Sequence, residues 1–201
     1  MQLLLIRHGQ STWNAEGRIQ GWADPPLSDA GCTQARHLAA RLGGSPPTIL
    51  YSSPLRRAQG TARIMGDYLG VPVIVEEGLK EYNIGQITGL TWHQVVDQHP
   101  AVAERWDRAE PLAIDGEEGR ESFRARVVAT FDAITLRHTK DKVGVVSHGG
   151  TIGTYLVHLL GLSSNFSPFR FDNGSLSIIQ PDPVRPRILL LNDTCHLQGD
   201  R

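Results

Sequence analysis

The sequence predicts an α/β fold: a three-layer sandwich with a mostly parallel central sheet and helices on both faces. Three observations carry this. The same order of apolar run, small or polar residue and helical segment recurs three times, as QLLLI before RHG, TILYSS before PLRRAQGTARIMGDYL, and KVGVV before SHGGTIGTYLVHLL. These runs lack the alternation of a half-exposed strand, as strands buried on both faces do. Finally, 201 residues with 40% hydrophobic and 20% charged side chains suit one domain with a sizeable core.

The elements follow in order. QLLLI is the first strand, and because charge inside such a strand is expensive, Arg7 and His8 should lie just past its end. Ser28 can cap a helix running to about Leu42, stopped by Gly43-Gly44. After TILYSS, Ser53 reads as a cap with Pro54 at the first helical position. VPVIVEE is a short strand. Residues 79–119 are less regular, with helices at TWHQVVDQ, ended by Pro100, and at AVAERWDR; the stretch reads as a cap-like insert over one edge of the sheet within a single domain, 1–201. Ser122 is the candidate cap of FRARVVATFDAITLRH. KVGVV and a helix from Gly149-Gly150 form the third unit, and SLSIIQ and RILLLN, joined by PDPVRP, close the sheet with an antiparallel edge.

Composition excludes several classes. Twenty Lys+Arg against twenty-one Asp+Glu leave a net charge of -1, so no overall basic field points to nucleic acid or an anionic membrane. The apolar runs are too short to span a bilayer, and LLLI sits too near Met1, without a basic flank, for a signal peptide; a cytoplasmic location is expected. Cys32 and Cys195 read as two reduced thiols.

If the three units are parallel, their carboxyl ends bring together Arg7 and His8, Arg56 and Arg57, and His148. Any one of these alone is more often structural; together they suit a compact dianion such as phosphate. Arginine's fork binds nonbridging oxygens bidentately, and a helix start at Gly149-Gly150 offers free N–H groups. Asn14 and Gln20, in the loop after the first strand, can add neutral donors. The chain has no G-x-x-x-x-G-K-[ST] loop, no G-x-G-x-x-G, no H-E-x-x-H and no G-x-S-x-G, and arginine neighbours would repel a cation. A histidine that attacks phosphorus is the remaining chemistry.

The motifs resemble those of the histidine phosphatases, or phosphoglycerate mutase-like superfamily. Arg7-His8-Gly9-Gln10-Ser11-Thr12-Trp13-Asn14 matches R-H-G-x-[ST]-x-x-N, and LSDAGCTQA matches the helix start that follows it in the family. YSSPLRRAQGTA resembles the second-arginine motif and selects Arg57 over Arg56; LKEYNIGQITGLT places the family's proton donor at Glu81; VVSHGGTI supplies His148, and LNDTCHL is an ending common among the smaller members. The resemblance implies a metal-independent, cofactor-free transfer. His8 is the nucleophile, Arg7, Arg57 and His148 bind the phosphoryl oxygens, and Glu81 gives a proton to the leaving group and later takes one from water, with an acidic to neutral pH optimum.

The same resemblance makes Gln20, Gly21, Trp22, Tyr82 and Gly149 substrate-binding candidates beside Asn14, with Asn83, Ile84 and His93 along the pocket wall. Apart from its position, His93 reads with His99, His138 and His158 as a surface or packing residue, and His196 as packing near the pocket. The substrate implied is a small phosphorylated metabolite of the phosphoserine, α-ribazole phosphate, phosphoglycerate or sugar phosphate type; a homodimer is allowed. The insert is short and FDNGSLSII replaces the mutase stretch T-G-x-P-L, which favours hydrolysis over mutase action. A noncatalytic phospho-ligand module would need neither His8 nor Glu81. Gly119-Arg120-Glu121-Ser122 departs from the common G-G-E-S, and Gly85–Gly89 from G-x-W-x-G.

Overall fold

A computed structural model describes residues 1–108, 110–162, 167–182 and 184–200, so Pro183 of the predicted hairpin linker lies outside the described residues. The strands are β1 (Gln2–Arg7), β2 (Ile49–Ser52), β3 (Val73–Val75), β4 (Lys142–Ser147), β5 (Leu176–Gln180) and β6 (Arg187–Asp193), in the order β3-β2-β4-β1-β5-β6. The first four in that order are parallel; β5 runs antiparallel to β1 and to β6, forming the predicted antiparallel edge.

Unbroken apolar runs become strands buried on both faces. Leu3 and Leu5 point to one side, where Phe123, Val127, Phe131, Ile152, Tyr155 and Leu156 cover them from helices α6 (Arg120–Arg137) and α7 (Gly149–Leu159). Leu4 and Ile6 point to the other, against Leu38, Ala39, Ala58, Ala62 and Met65 of α2 (Asp29–Leu42) and α3 (Arg56–Leu69). These are the three predicted layers. The chain leaves β1 through the short α1 (Thr12–Ala15) and α2 toward β2, and leaves β4 through α7 toward β5, on opposite sides of the neighbouring pair β1/β4. A crevice at the carboxyl ends of such a reversal is where open α/β sheets bind ligands.

Three boundaries differ from the sequence prediction. Arg7 is the last residue of β1 rather than the first beyond it, and its Nη1 donates to Phe171 O. α3 begins at Arg56 with Leu55 as its cap, not at Ser53-Pro54, because the Ser53 hydroxyl is engaged by Leu55 N and His148. α6 begins at Arg120, with Gly119 (φ 78°) rather than Ser122 at its cap; a left-handed residue turns the chain there without a side-chain acceptor.

Ser28 caps α2 by accepting from Gly31 N at 3.1 Å. Gly31 also lies against the loop after β1: a Cβ there would fall on Gln10 O, so only glycine allows the helix start and the loop to approach this closely. The insert carries α4 (Trp92–Gln98), capped by Thr91, and α5 (Pro100–Asp107), with an apolar cluster of Ile87, Val95, Val102, Leu112 and Ile114 packed on Ile19. Its backbone joins the loop after β1 through Ile19 N→Leu90 O (2.9 Å) and Gly89 N→Ile19 O (2.8 Å), so it sits toward the carboxyl ends of the strands. Among the described residues no helix is long and apolar enough to cross a membrane.

Candidate active site

His8 extends the ladder of β1 by one bond, its N–H donating to Ser147 O at 3.0 Å. Its carbonyl accepts from Gly174 N (3.1 Å) and Asn173 Nδ2 (3.2 Å), and the next residue is held by Gly9 N→Thr61 Oγ1 (3.0 Å). The ring is 3% exposed, and Nδ1 lies 2.7 Å from Gly9 O. A nitrogen facing a carbonyl must carry the proton, so Nε2 presents the lone pair.

Around this ring stand the groups expected from the other two units. Arg57, in the first turn of α3, is 1% exposed; its Nη1 and Nη2 donate to Ala23 O (2.7 Å) and Gly21 O (2.9 Å), while Arg56 is exposed. His148 caps α7, 1% exposed, with its ring 5.1 Å from that of His8 and Nε2 2.7 Å from Ser53 Oγ. Arg7 Nε, Arg57 Nε and His148 Nδ1 are buried with no hydrogen-bond partner among the described residues. A buried polar atom without a partner is costly, and three in one cluster mark a place where an anion would satisfy them.

Burial first, then the charges of Arg57 and Arg7, hold the basicity of His8 well below the ordinary histidine range; His148 is depressed in the same way, again chiefly by burial. Both rings are therefore neutral at physiological pH. Burial also lowers Arg57, to about 10, which leaves it charged.

Glu81 reaches the same place from the segment after β3. Its Oε2 accepts from Gly150 N in the first turn of α7 (3.0 Å) and its Oε1 from Tyr82 N (2.9 Å). A Cβ on Gly150 would collide with this carboxylate, so the second glycine of SHGG makes room for it. The preceding backbone is fastened by Ser147 Oγ→Leu79 O (2.8 Å) and Thr151 Oγ1→Lys80 O (2.8 Å), and the Glu81 carbonyl accepts from Trp22 Nε1 (2.7 Å). Arg7 and Arg57 both feel the charge of Glu81, which raises their basicity against burial.

The other candidates divide. Asn14 Oδ1 accepts from Ser11 N (3.1 Å) and Asn173 Nδ2 (3.2 Å), and Gln20 Oε1 from Ser11 Oγ (2.7 Å), so their carbonyls shape the loop. Gly21, at φ 49°, gives its carbonyl to Arg57, and a Cβ on Gly149 would lie 3.8 Å from Arg7 Nε. Trp22 lies under Lys80 (4.9 Å), and the Tyr82 hydroxyl donates to Glu117 (2.5 Å). Asn83 and Ile84 are tied into the insert. His93, 86% exposed and paired with Asp97 on α4, does not join the group, since its helix turns it to solvent. Among the described residues no three His, Cys, Asp or Glu side chains converge as a metal site would require.

Two contributions are not legible in the sequence: Ser53 as a partner of His148, and Asn173. Asn173 has a local signal in FDNGS, but nothing in the sequence says that its amide reaches His8 and Asn14. The ending LNDTCHL also acquires a task. Asn192 exchanges hydrogen bonds with Asp172 (2.7 and 2.9 Å), Arg41 pairs with Asp193 (2.6 Å), and His196 Nε2 lies 3.0 Å from Gly174 O. These bonds fasten the 171–174 loop that holds Arg7 and His8. A cavity of 630 Å³ opens beside that loop, lined by Gln10, Gln34, Asn173 and Thr194, apart from the cations.

The model of the histidine phosphatase superfamily (branch 1) matches residues 3–194. Phosphoserine phosphatase 1 of Hydrogenobacter thermophilus is 36% identical over 199 residues, covering 98% of this chain and 94% of that one. The metal-independent phosphoserine phosphatase of Arabidopsis thaliana is 36% identical over 204 residues, covering 98% and 84%. Chains named probable phosphoglycerate mutase also match, at 33% identity. A solved mycobacterial glucosyl-3-phosphoglycerate phosphatase, in complex with VO3, superposes with a TM-score of 0.87 at 30% identity, covering 96% of this chain and 99% of that one.

Proposed function

The chain belongs to the histidine phosphatase superfamily, branch 1, and is a metal-independent phosphoric monoester hydrolase; we propose that its catalysis runs through a phosphohistidine formed on His8. The observation that carries this is the His8 ring itself, fixed by Gly9 O with its Nε2 lone pair available, amid two guanidiniums and a second imidazole that each bring one buried nitrogen without a partner among the described residues.

In the first step His8 Nε2 attacks phosphorus as the bond to the leaving oxygen breaks, and protonated Glu81 gives that oxygen its proton. Nδ1–H, bonded to Gly9 O, stabilises the positive ring that results. Arg7 and Arg57 neutralise the phosphoryl oxygens, strongest in the transition state. Ser53 Oγ, already an acceptor from Leu55 N, gives its own proton to His148 Nε2, so His148 Nδ1–H is a third donor. In the second step water attacks phosphorus, Glu81 carboxylate takes its proton, and the N–P electron pair returns to Nε2. The two guanidiniums that lower both histidines would also repel a metal cation.

The substrate class we assign is a small phosphorylated metabolite, with phosphoserine and phosphoglycerate derivatives foremost, bound with Asn14, Gln20, Gly21 and Gly149 near the phosphoryl group and Trp22 and Tyr82 along the leaving group. Residues 79–119 serve as the cap that selects it. Two free cysteines suit a reducing compartment such as the cytoplasm. Phosphate release from p-nitrophenyl phosphate, phosphoserine, 3-phosphoglycerate and α-ribazole phosphate, measured in EDTA with a His8→Ala control, tests the proposal. Turnover that vanishes in the control supports it. Isomerisation of 3- to 2-phosphoglycerate without phosphate release would favour a mutase instead.

A further inference from the structure

One guanidinium from α6 grips the backbone that carries Glu81. Arg126 Nη1 donates to Gly78 O (2.9 Å) and Lys80 O (3.0 Å), and Nη2 to Glu81 O (3.3 Å). The same group is paired with Glu118, Nη2 lying 2.7 and 2.9 Å from its two oxygens and Nε 3.3 Å from one. Glu118 in turn takes the far side of the acid: its Oε1 accepts from Asn83 N (3.0 Å), and its own N–H donates to Asn83 O (3.2 Å). Glu81 is thus bracketed in sequence, with Arg126 on 78, 80 and 81 and Glu118 on 83. Phe123 supports the head of Arg126 at 5.1 Å and meets the Tyr82 ring edge-on at 5.1 Å.

Only arginine can do this. Binding three carbonyls on a bend together with a carboxylate needs donors spread across a rigid plane, and an ammonium has neither the number nor the spread. The arrangement holds the backbone on both sides of Glu81. The carboxylate is oriented by the N–H groups of Tyr82 and Gly150, so a shift of this segment moves the proton relative to the leaving oxygen.

Resting on the proposed role of Glu81 as proton donor, we infer that Arg126, braced by Glu118, is the positioning residue for the general acid and governs how well the enzyme expels poor leaving groups. Arg126 acts through Glu81 and not on the phosphoryl group. Its loss must therefore discriminate between substrates. A nitrophenolate departs without a proton, whereas the alkoxide of an aliphatic ester needs one.

The test compares kcat/KM for p-nitrophenyl phosphate and phosphoserine in the wild type, Glu81→Gln, Arg126→Gln and Arg126→Lys. This constant reports steps up to P–O cleavage, before hydrolysis of the phosphoenzyme. Glu81→Gln should lower the phosphoserine-to-aryl ratio about 100-fold. Both Arg126 variants should lower it about tenfold while changing the aryl value by no more than about threefold. An equal fall on both substrates, or an unchanged ratio, overturns the inference while leaving Glu81 intact as the acid. An unchanged ratio in Glu81→Gln instead refutes the reading of Glu81, and the inference with it. Should Arg126→Gln fail to fold, Arg126→Lys, which keeps the charge opposite Glu118, decides by the same criterion, with aryl turnover reporting an intact site.

Discussion

The proposed nucleophile, His8, is kept neutral because burial and two guanidiniums make its protonated form expensive, while Gly9 O fixes the tautomer. The sign is definite. Protonation would place a cation beside Arg7 and Arg57, so the pKa falls, and removing a guanidinium must raise it. In Arg57→Leu the midpoint of His8, followed by NMR of the imidazole in the free protein, should move upward, and the acid limb of kcat/KM should move with it. A downward move would contradict the electrostatic account. The same variant should lose about 100-fold or more in kcat/KM, because it also removes a proposed phosphoryl donor. Much at this scale was legible: RHG, the second arginine of LRRA, SHGG and the acid of LKEY all reach one place. His93 lies at the surface, as one of its two readings has it, and not along the pocket wall, because proximity in sequence to Glu81 says nothing about which way α4 turns its side chains. Asn173 and Arg126 were missed because they act through backbone carbonyls of distant segments, and no local pattern encodes that.

At the scale of elements, the site is a junction where loops approach closely and are fastened from behind. Gly31→Ala should lower stability by about 2–3 kcal/mol in urea unfolding, since either α2 or the loop behind His8 must move; an unperturbed midpoint would show that the approach is easily relaxed. The C-terminal ending belongs to the same junction. Asn192→Ala and Asn173→Ala should reduce kcat/KM about tenfold and equally for aryl and aliphatic phosphates, because they loosen Arg7 and His8 and leave Glu81 untouched. A loss confined to aliphatic substrates would contradict that division of labour. α2 with its cap and the hairpin edge are legible in the sequence, where composition and spacing act locally. The starts of α3 and α6 are not, because Ser53 is engaged by His148 across the sheet and Gly119 turns the chain by backbone conformation.

Over the whole molecule, the parallel strands converge on the reversal between β1 and β4, and the chain places His8 and His148 on its two sides. Strand-helix grammar made that architecture legible, whereas the seating of residues 79–119 depends on contacts with the loop after β1 that the sequence does not display. Keeping two neutral histidines buried has a global consequence. The unfolded chain protonates them below about pH 6.5 and the folded chain does not, so stability is full above that pH and falls below it, by at most about 1.4 kcal/mol per pH unit for each group. Urea midpoints at pH 7 and pH 5 should show this fall, reduced in His148→Gln; an identical fall in that variant would assign it to other groups. The most direct measurement, however, is rapid quenching of the enzyme with ³²P-labelled substrate, followed by mapping of the labelled peptide. The expected result is an acid-labile, alkali-stable phosphoryl group on His8 that forms in EDTA and is absent from His8→Ala. A label on another residue, or turnover that persists in His8→Ala, would contradict it.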